Sequence, residues 1–420
     1  MAQDKSDMKA DLLIRNATVA TMEGPQRARD GFEASDCAME AGWAVAVKDG
    51  RITWVGPEPD WRGKTARSLD ARRRLVTPGY VDSHTHLVYA GDRANELRMK
   101  LAGKSYMEIL AAGGGIMKTV RETREATENE LEEAAHGRLR EMLHHGTTTV
   151  EAKSGYGLDT KTELKQLAVH PKLIKRTGMA VVSTFLGAHA VPEEFKGRTD
   201  AYVDLVCDEM LPAVAKQEIA RYCDAFVEDG AFTFEQGLRI LKRAREIGFE
   251  VRLHADEIVD TKGAELAAKV GCVSADHLMA VSDAGIAAMA EAGTIATLLP
   301  TVPVTMMQPR WAPARKLLDA RVPVALASDH NPNNPVYDLG FVAQLACYMM
   351  GMNPAQALTA VTWNAACALG VEEKVGSLEV GKVANIVVHD SPTLDHWAAG
   401  FGHSSARHVI LNGRIVPPRA

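Results

Sequence analysis

Through the middle of the chain, apolar and β-branched runs end in polar or ionisable residues, and each is followed by a stretch with helical spacing. The runs cover 76–86, 147–156, 180–189, 225–231, 250–257, 273–278, 294–300 and 322–331. Helical patterns lie between them, among others at 128–144, 234–247, 262–270 and 283–292. Short continuous apolar runs are what strands buried on both faces look like, and their alternation with helices marks a parallel sheet. Eight strand-then-helix units are what a (β/α)8 barrel requires, so an α/β fold built on a TIM-like barrel is the expected architecture. The alternative, an open doubly wound sheet, lacks support because no GxGxxG fingerprint follows the first strand.

Both ends read differently. Leu12-Leu13-Ile14 and Ala17-Thr18-Val19-Ala20 predict short strands, and a polar loop follows from about Glu23 to Glu40. Asp49-Gly50 between Trp43-Ala44-Val45-Ala46-Val47 and Ile52-Thr53-Trp54-Val55-Gly56 predicts a hairpin. Related vocabulary returns at 376–381, 384–388 and 409–416. The economical arrangement is one small β domain from residues 1–75 and 371–420, with the barrel of residues 76–370 inserted into it.

The polar residues that close the strands are unusual. Residues two apart in a strand share a face, so an extended His84-Thr85-His86 sends both imidazoles into one space. Imidazole is a good ligand for zinc, iron and nickel. His254 closes the run before it, as do His277 and Asp329. In a barrel the working residues sit where strands end, so four strand ends supply metal- and proton-handling groups to one face. His144, His145, His170, His396, His403 and His408 fall in helical or loop stretches and read as surface or ordinary polar residues. Gly113-Gly114-Gly115 lacks the Lys-Ser/Thr of a phosphate cradle, so it is read as a place where backbone approaches a ligand.

Composition narrows the class without changing it. The 420 residues, 46% hydrophobic and 24% charged, describe an ordinary globular protein with room for a large core. A net charge of -6 gives no electrostatic reason to expect a nucleic-acid or anionic-membrane partner. Six scattered cysteines without a CxxC pair argue against a disulfide framework or a thiolate zinc site. With a polar start and no run of about 18 apolar residues, a cytoplasmic protein is expected.

The chain resembles the amidohydrolase superfamily through His84-Thr85-His86, His254, His277 and Asp329. Within it, the chain resembles the imidazolonepropionase family through Asp82–Val88 continuing to Gly91-Asp92-Arg93, Gly113–Ile116, Lys153–Leu158, Phe185–Ala190, His254–Glu257 and Ala275–Leu278. The resemblance runs nearly end to end. It implies a barrel with a small β-sandwich from both termini and one zinc or ferric ion per subunit on His84, His86, His254 and Asp329. It further implies hydrolysis of 4-imidazolone-5-propanoate to N-formimidoyl-L-glutamate, and a homodimer. The expected roles are oxyanion stabilisation or proton shuttling for His277, assistance as base for Asp329, and protonation of the leaving ring nitrogen for Glu257. The expected substrate contacts are Arg93, Tyr156, His189, Glu257, Asn331, Asn333 and Asn334, with Arg93 gripping the propanoate and Tyr106 a weaker candidate. Asn333-Asn334 stands where the family has Gly-Ser/Thr, and 299–306 lacks the family's aromatic pattern. The competing readings are a deaminase or amidohydrolase of another nitrogen heterocycle and, remotely, a non-catalytic scaffold.

Overall fold

The computed structural model describes residues 8–104, 108 and 112–419. The N-terminal part forms β1 (Lys9–Ala20), β2 (Met39–Lys48), β3 (Arg51–Pro57), β4 (Lys64–Asp70) and β5 (Leu75–Pro78). The middle forms β6 (Tyr80–Asp82), β7 (Thr147–Lys153), β8 (Ala180–Ala188), β9 (Tyr222–Val227), β10 (Glu250–Ala255), β11 (Ser274–His277), β12 (Ile295–Leu298) and β13 (Val324–Leu326). The C-terminal part adds β14 (Ile386–His389), β15 (Ala406–Leu411) and β16 (Arg414–Ile415).

Strands β6 to β13 form one sheet in sequential order, and every neighbouring pair is parallel. This is the (β/α)8 barrel that the alternating pattern predicts. The helices Glu128–His144, Phe234–Ile247 and Asp283–Ala292 occupy the expected spans, and Gly263–Val270 begins one residue late. Thr127 with Glu130, and Thr233 with Gln236, form capping boxes that satisfy orphan N–H groups at two of these starts.

The remaining strands form a mixed sheet, β16-β15-β14-β5-β1-β2-β3, with β4 also paired to β1. It is drawn from both ends of the chain. One edge of β1 carries β4 along Lys9–Arg15 and then β5 along Thr18–Val19, so the sheet forks there. The expected break within 12–20 is instead one strand with a register shift around Asn16, whose φ is 54°. The Asp49-Gly50 hairpin forms with φ of 51° and 77°, the positive values a two-residue turn needs. Residues 376–381 form turns rather than a strand, Leu378 donating its N–H to Thr21.

The apolar run 76–86 proves to be two strands in two sheets. Leu75–Pro78 pairs with β1 and β14, whereas Tyr80–Asp82 pairs with β7. Gly79 is the joint, donating its N–H to Asn385 O while Tyr80 donates to Gly146 O. A Cβ at Gly79 would overlap the side chain of Thr148.

Past the strand ends the barrel closes between its first and last members. Asp329 N–H donates to His84 O at 3.0 Å and His86 N–H to His330 O at 2.9 Å, with Thr85 and His330 forming a parallel bridge. Below that seam, Asp82 accepts from Ser328 N–H (3.0 Å) and Ser328 Oγ (2.6 Å). Among the described residues no helix is long and apolar enough to cross a membrane.

Gly79→Ala is expected to destabilise the protein by about 1–3 kcal/mol through overpacking against Thr148. Urea unfolding checks this, and Gly79→Ala/Thr148→Ala should recover most of the loss.

Candidate active site and metal centre

Six strands of the barrel send side chains to the same end. His84 and His86 extend from β6, Tyr156 follows β7, His189 follows β8, His254 lies in β10, His277 ends β11, and Asp329 follows β13. His84, His86, His254, His277 and Asp329 are all buried. Two of them take left-handed backbone, with φ of 78° at His277 and 48° at Asp329, which costs strain that the surrounding sheet must impose.

The groups converge. His254 Nε2 lies 3.4 Å from His86 Nε2, and Asp329 Oδ1 lies 3.7 Å from His84 Nε2 and 3.5 Å from His86 Nε2. Ligand atoms of His84, His86 and Asp329 lie within 4.8 Å of one another, as do those of His84, His254 and His277 and of His86, His189 and His254. His84 Nε2, His86 Nδ1, His254 Nδ1, Asp329 Oδ1 and both ring nitrogens of His277 are buried without a hydrogen-bond partner. Unpaired buried polar atoms of this kind cost roughly 1–3 kcal/mol each. A nitrogen-and-oxygen set left partly unpaired at one end of the barrel suits zinc or iron.

Burial sets the protonation. It holds His84, His86 and His277 well below the usual imidazole range, with neighbouring rings and the Lys153 ammonium adding to the effect. Neutral rings are what ligation needs. Burial pushes the Asp329 carboxyl up to about 7 against the pull of His254. Glu257 has a side chain only 12% exposed and 3.8 Å from His277 Nδ1, and burial, Asp329 and Glu228 push it up to about 8.

The loops around the cluster are shaped by single carboxylates and amides. Glu163 accepts the N–H groups of Gly155, Gly157 and Leu158 at 3.0, 2.8 and 2.8 Å, knotting the Lys153–Leu158 stretch. Gly155 has φ 108°, and a Cβ there would press on His189 Nδ1 and Leu186 O. Its carbonyl instead accepts from His189 Nδ1–H at 3.0 Å, which fixes that ring stacked on His86 with centroids 4.7 Å apart. Tyr156 is buried with its ring 5.7 Å from His86 and 5.3 Å from His189.

Arg93 is engaged inside the protein. Its Nε and Nη2 donate to both oxygens of Glu96 at 2.9 and 2.8 Å, and Glu96 also accepts from Gly115 N–H. Asn331 Oδ1 accepts the N–H groups of Asn333 and Asn334, and Asn334 Nδ2 donates to Thr301 Oγ1, Ser328 O and Asp329 O. Asn333 Oδ1 accepts from Lys100 Nζ at 2.8 Å. These amides therefore build the loop. The loop tolerates Asn333 because that residue is not among those with positive φ, so the left-handed backbone that would favour glycine is not used there. Next to the Leu299–Met306 segment, Trp311 supplies an aromatic ring to an apolar recess bordered by His277, Leu299 and Pro303. Tyr106 lies outside the described residues.

The amidohydrolase family profile matches residues 75–416. The chain belongs to the amidohydrolase family. It is 47% identical over 415 residues to an imidazolonepropionase of Symbiobacterium thermophilum, covering 97% of each chain. In fold it is similar to an adenosine deaminase from Xanthomonas campestris with bound zinc (TM-score 0.69, 21% identity, 97% and 93% covered). It is also similar to a 5-methylcytosine deaminase from Klebsiella pneumoniae (TM-score 0.73, 17% identity, 97% and 98% covered).

Sequence reasoning passed over what lies beneath the amidohydrolase histidines. Glu151, Lys153, Asp224, Arg252 and Asp276 are fully buried in β7, β9, β10 and β11. Lys153 Nζ sits 2.7 Å from both Glu151 Oε1 and Asp224 Oδ2 and 3.7 Å from Asp276 Oδ2. Arg252 Nη2 donates to Asp276 Oδ2 (3.2 Å) and Ser83 O (2.9 Å). His84 Nδ1–H donates to Asp276 Oδ2 at 2.6 Å. Three carboxylates against two cations leave a negative floor under the cluster, which a cation above would balance. The available signal was charge inside otherwise apolar strands, with Glu151 and Lys153 two apart on one face. His170, read as a surface or ordinary polar residue, is instead a fully buried ring bonded to Ser183 Oγ.

Lys153→Met is expected to lower stability by about 3–5 kcal/mol, because it leaves three buried carboxylates facing one another. The urea midpoint should fall at an unchanged slope.

Proposed function

We propose that this chain hydrolyses the cyclic amide of 4-imidazolone-5-propanoate to N-formimidoyl-L-glutamate, using one zinc or ferric ion per subunit. The observation that supports the reading is that ligand atoms of His84, His86 and Asp329 lie within 4.8 Å of one another, with His254 Nε2 3.4 Å from His86 Nε2. The imidazolonepropionase relative, matched along almost its whole length, supports the substrate. Those four residues would hold the ion. Bound there, it supplies a Lewis acid for the ring carbonyl and makes water nucleophilic near neutral pH.

The chain's own groups do the rest. Asp329 takes the proton of the attacking water. His277, kept neutral by burial, donates to the oxygen on which negative charge develops. Glu257, kept protonated near neutrality, passes its proton to the departing ring nitrogen. Glu96 holds the Nε–Nη2 edge of Arg93, so the remaining edge of the guanidinium meets the propanoate. Tyr156 donates its hydroxyl to the same carboxylate, and His189, tied down through Nδ1, presents Nε2 to the ring. Asn331, Asn333 and Asn334 shape the wall that faces the substrate. A homodimer accords with the family resemblance, and six unpaired cysteines accord with the cytoplasm.

Loss of substrate absorbance on adding purified protein tests the reading. Turnover should drop at least about 100-fold after chelation and return with zinc or iron, and other ring amides or aminopyrimidines should be poor substrates. Retained turnover in the stripped protein would remove the metal from the proposal.

Glu257→Gln should reduce kcat by about 10²–10⁴. In the unaltered enzyme kcat/KM falls as pH rises and Glu257 loses its proton. A bound cation draws that carboxyl down from about 8, so the alkaline limb lies at or below it. The limb should vanish from the pH–rate profile of Glu257→Gln.

A further inference from the structure

Asp224 lies in β9 with no exposed surface, and its carboxylate accepts from Lys153 and the His254 backbone while His254 Nδ1 stands beside it at ion-pair distance, outside hydrogen-bond geometry. Lys153 Nζ donates to Oδ2 at 2.7 Å, the backbone N–H of His254 donates to Oδ1 at 3.2 Å, and His254 Nδ1 lies 3.0 Å from Oδ2. We propose that Asp224 is a positioning residue that keeps the proton of His254 on Nδ1, so that Nε2 is free for the metal before the metal arrives.

The chemistry follows from what a carboxylate can offer. An ionised Asp only accepts, so a ring nitrogen facing it carries a proton and the opposite nitrogen carries the lone pair. That opposite nitrogen, Nε2, is the one 3.4 Å from His86 Nε2. Lys153 makes the arrangement firm. Its ammonium also reaches Glu151 at 2.7 Å and Asp276 at 3.7 Å, which holds Asp224 in place and ionised. His84 stands on Asp276 in the same way at 2.6 Å, so one lysine links the supports of two candidate ligands. A metal site whose rings are oriented in advance loses less freedom on binding.

The two supports differ in a way that makes a test. An amide at position 276 can keep its oxygen toward His84 and turn its NH2 to Ser274 Oγ, now 2.6 Å from Asp276 Oδ1. An amide at position 224 faces Lys153 Nζ, His254 N–H and His254 Nδ1, so its NH2 finds an acceptor only where His254 Nδ1 gives up its proton. Asp224→Asn should therefore push the His254 proton to Nε2, whereas Asp276→Asn should leave His84 largely as it is.

The inference rests on the metal reading above, and the test separates the two. Histidine 15N NMR of chelated protein at about pH 8 should show His254 protonated on Nδ1 in the wild type and on Nε2 in Asp224→Asn. Zinc affinity, measured by competition with a chromophoric chelator, should fall about 10–100-fold in Asp224→Asn and less in Asp276→Asn. At saturating zinc, kcat should fall with KM unchanged, because Asp224 is placed against His254 and not against substrate. A wild-type His254 protonated on Nε2 overturns the inference, and needs no variant to fold. An Asp224→Asn protein with unchanged tautomer and zinc affinity within two-fold also overturns it. Wild-type protein that binds no zinc while His254 keeps its Nδ1 proton overturns the metal reading and sustains the effect of Asp224 on the ring.

Discussion

Two backbone hydrogen bonds, Asp329 N–H to His84 O and His86 N–H to His330 O, join the last strand of the barrel to the first. The same few residues carry three of the four candidate metal ligands. Closure and site are thus one constraint, because side chains in extended backbone alternate and a slip of one residue would turn both imidazoles away from the interior. Asp82 and Ser328 secure the register one step below. Burial pushes the Asp82 carboxyl up to about 7 despite the donors that Ser328 supplies. The left-handed turn at Asp329 aims its carboxylate back toward the rings, and the seam on either side holds it there.

Beneath the seam, the barrel places charge where most barrels place aliphatic side chains. Burial alone would raise Asp224, but His254 and Lys153 outweigh it and hold the carboxyl well below the usual range. Lys153 shows the converse, since burial lowers it and the facing carboxylates more than restore it. Such a cluster is tolerated because each charge has partners at hydrogen-bonding distance, and it would be costly to leave half-made. Its use is orientation. His84 is anchored through Nδ1 on Asp276, His254 Nδ1 lies 3.0 Å from Asp224, and the excess of carboxylates favours a cation above them.

Around this rigid floor the loops are set by local chemistry. Glu163 gathers three N–H groups, Glu96 joins Arg93 to Gly115, and Asn331 and Asn334 knit the turn after β13. Lys100 reaches from the helix Asn95–Leu101 to Thr305 O and Asn333 Oδ1, linking the loop after the first strand to those after the seventh and eighth. The proposed substrate contacts therefore stand on loops whose shape is held by side chains buried behind them.

The sequence by itself determined the alternation of buried strands and amphipathic helices, the Asp49-Gly50 hairpin and the strand-end placement of His84, His86, His254, His277 and Asp329. Each depends on neighbours within a few residues: period, turn chemistry, or a polar group closing an apolar run. Tertiary structure alone decided that 76–86 divides at Gly79 between two sheets, since nothing local separates two strands that are both apolar. It alone placed Asp224 against His254, Asp276 against His84 and Lys153 between them, residues 30 to 192 positions apart where they meet a ring or one another across strands. It also decided that Asn333 answers to Lys100. Pairing of this kind is a property of which strands become neighbours, and a chain read in order carries no distance between them.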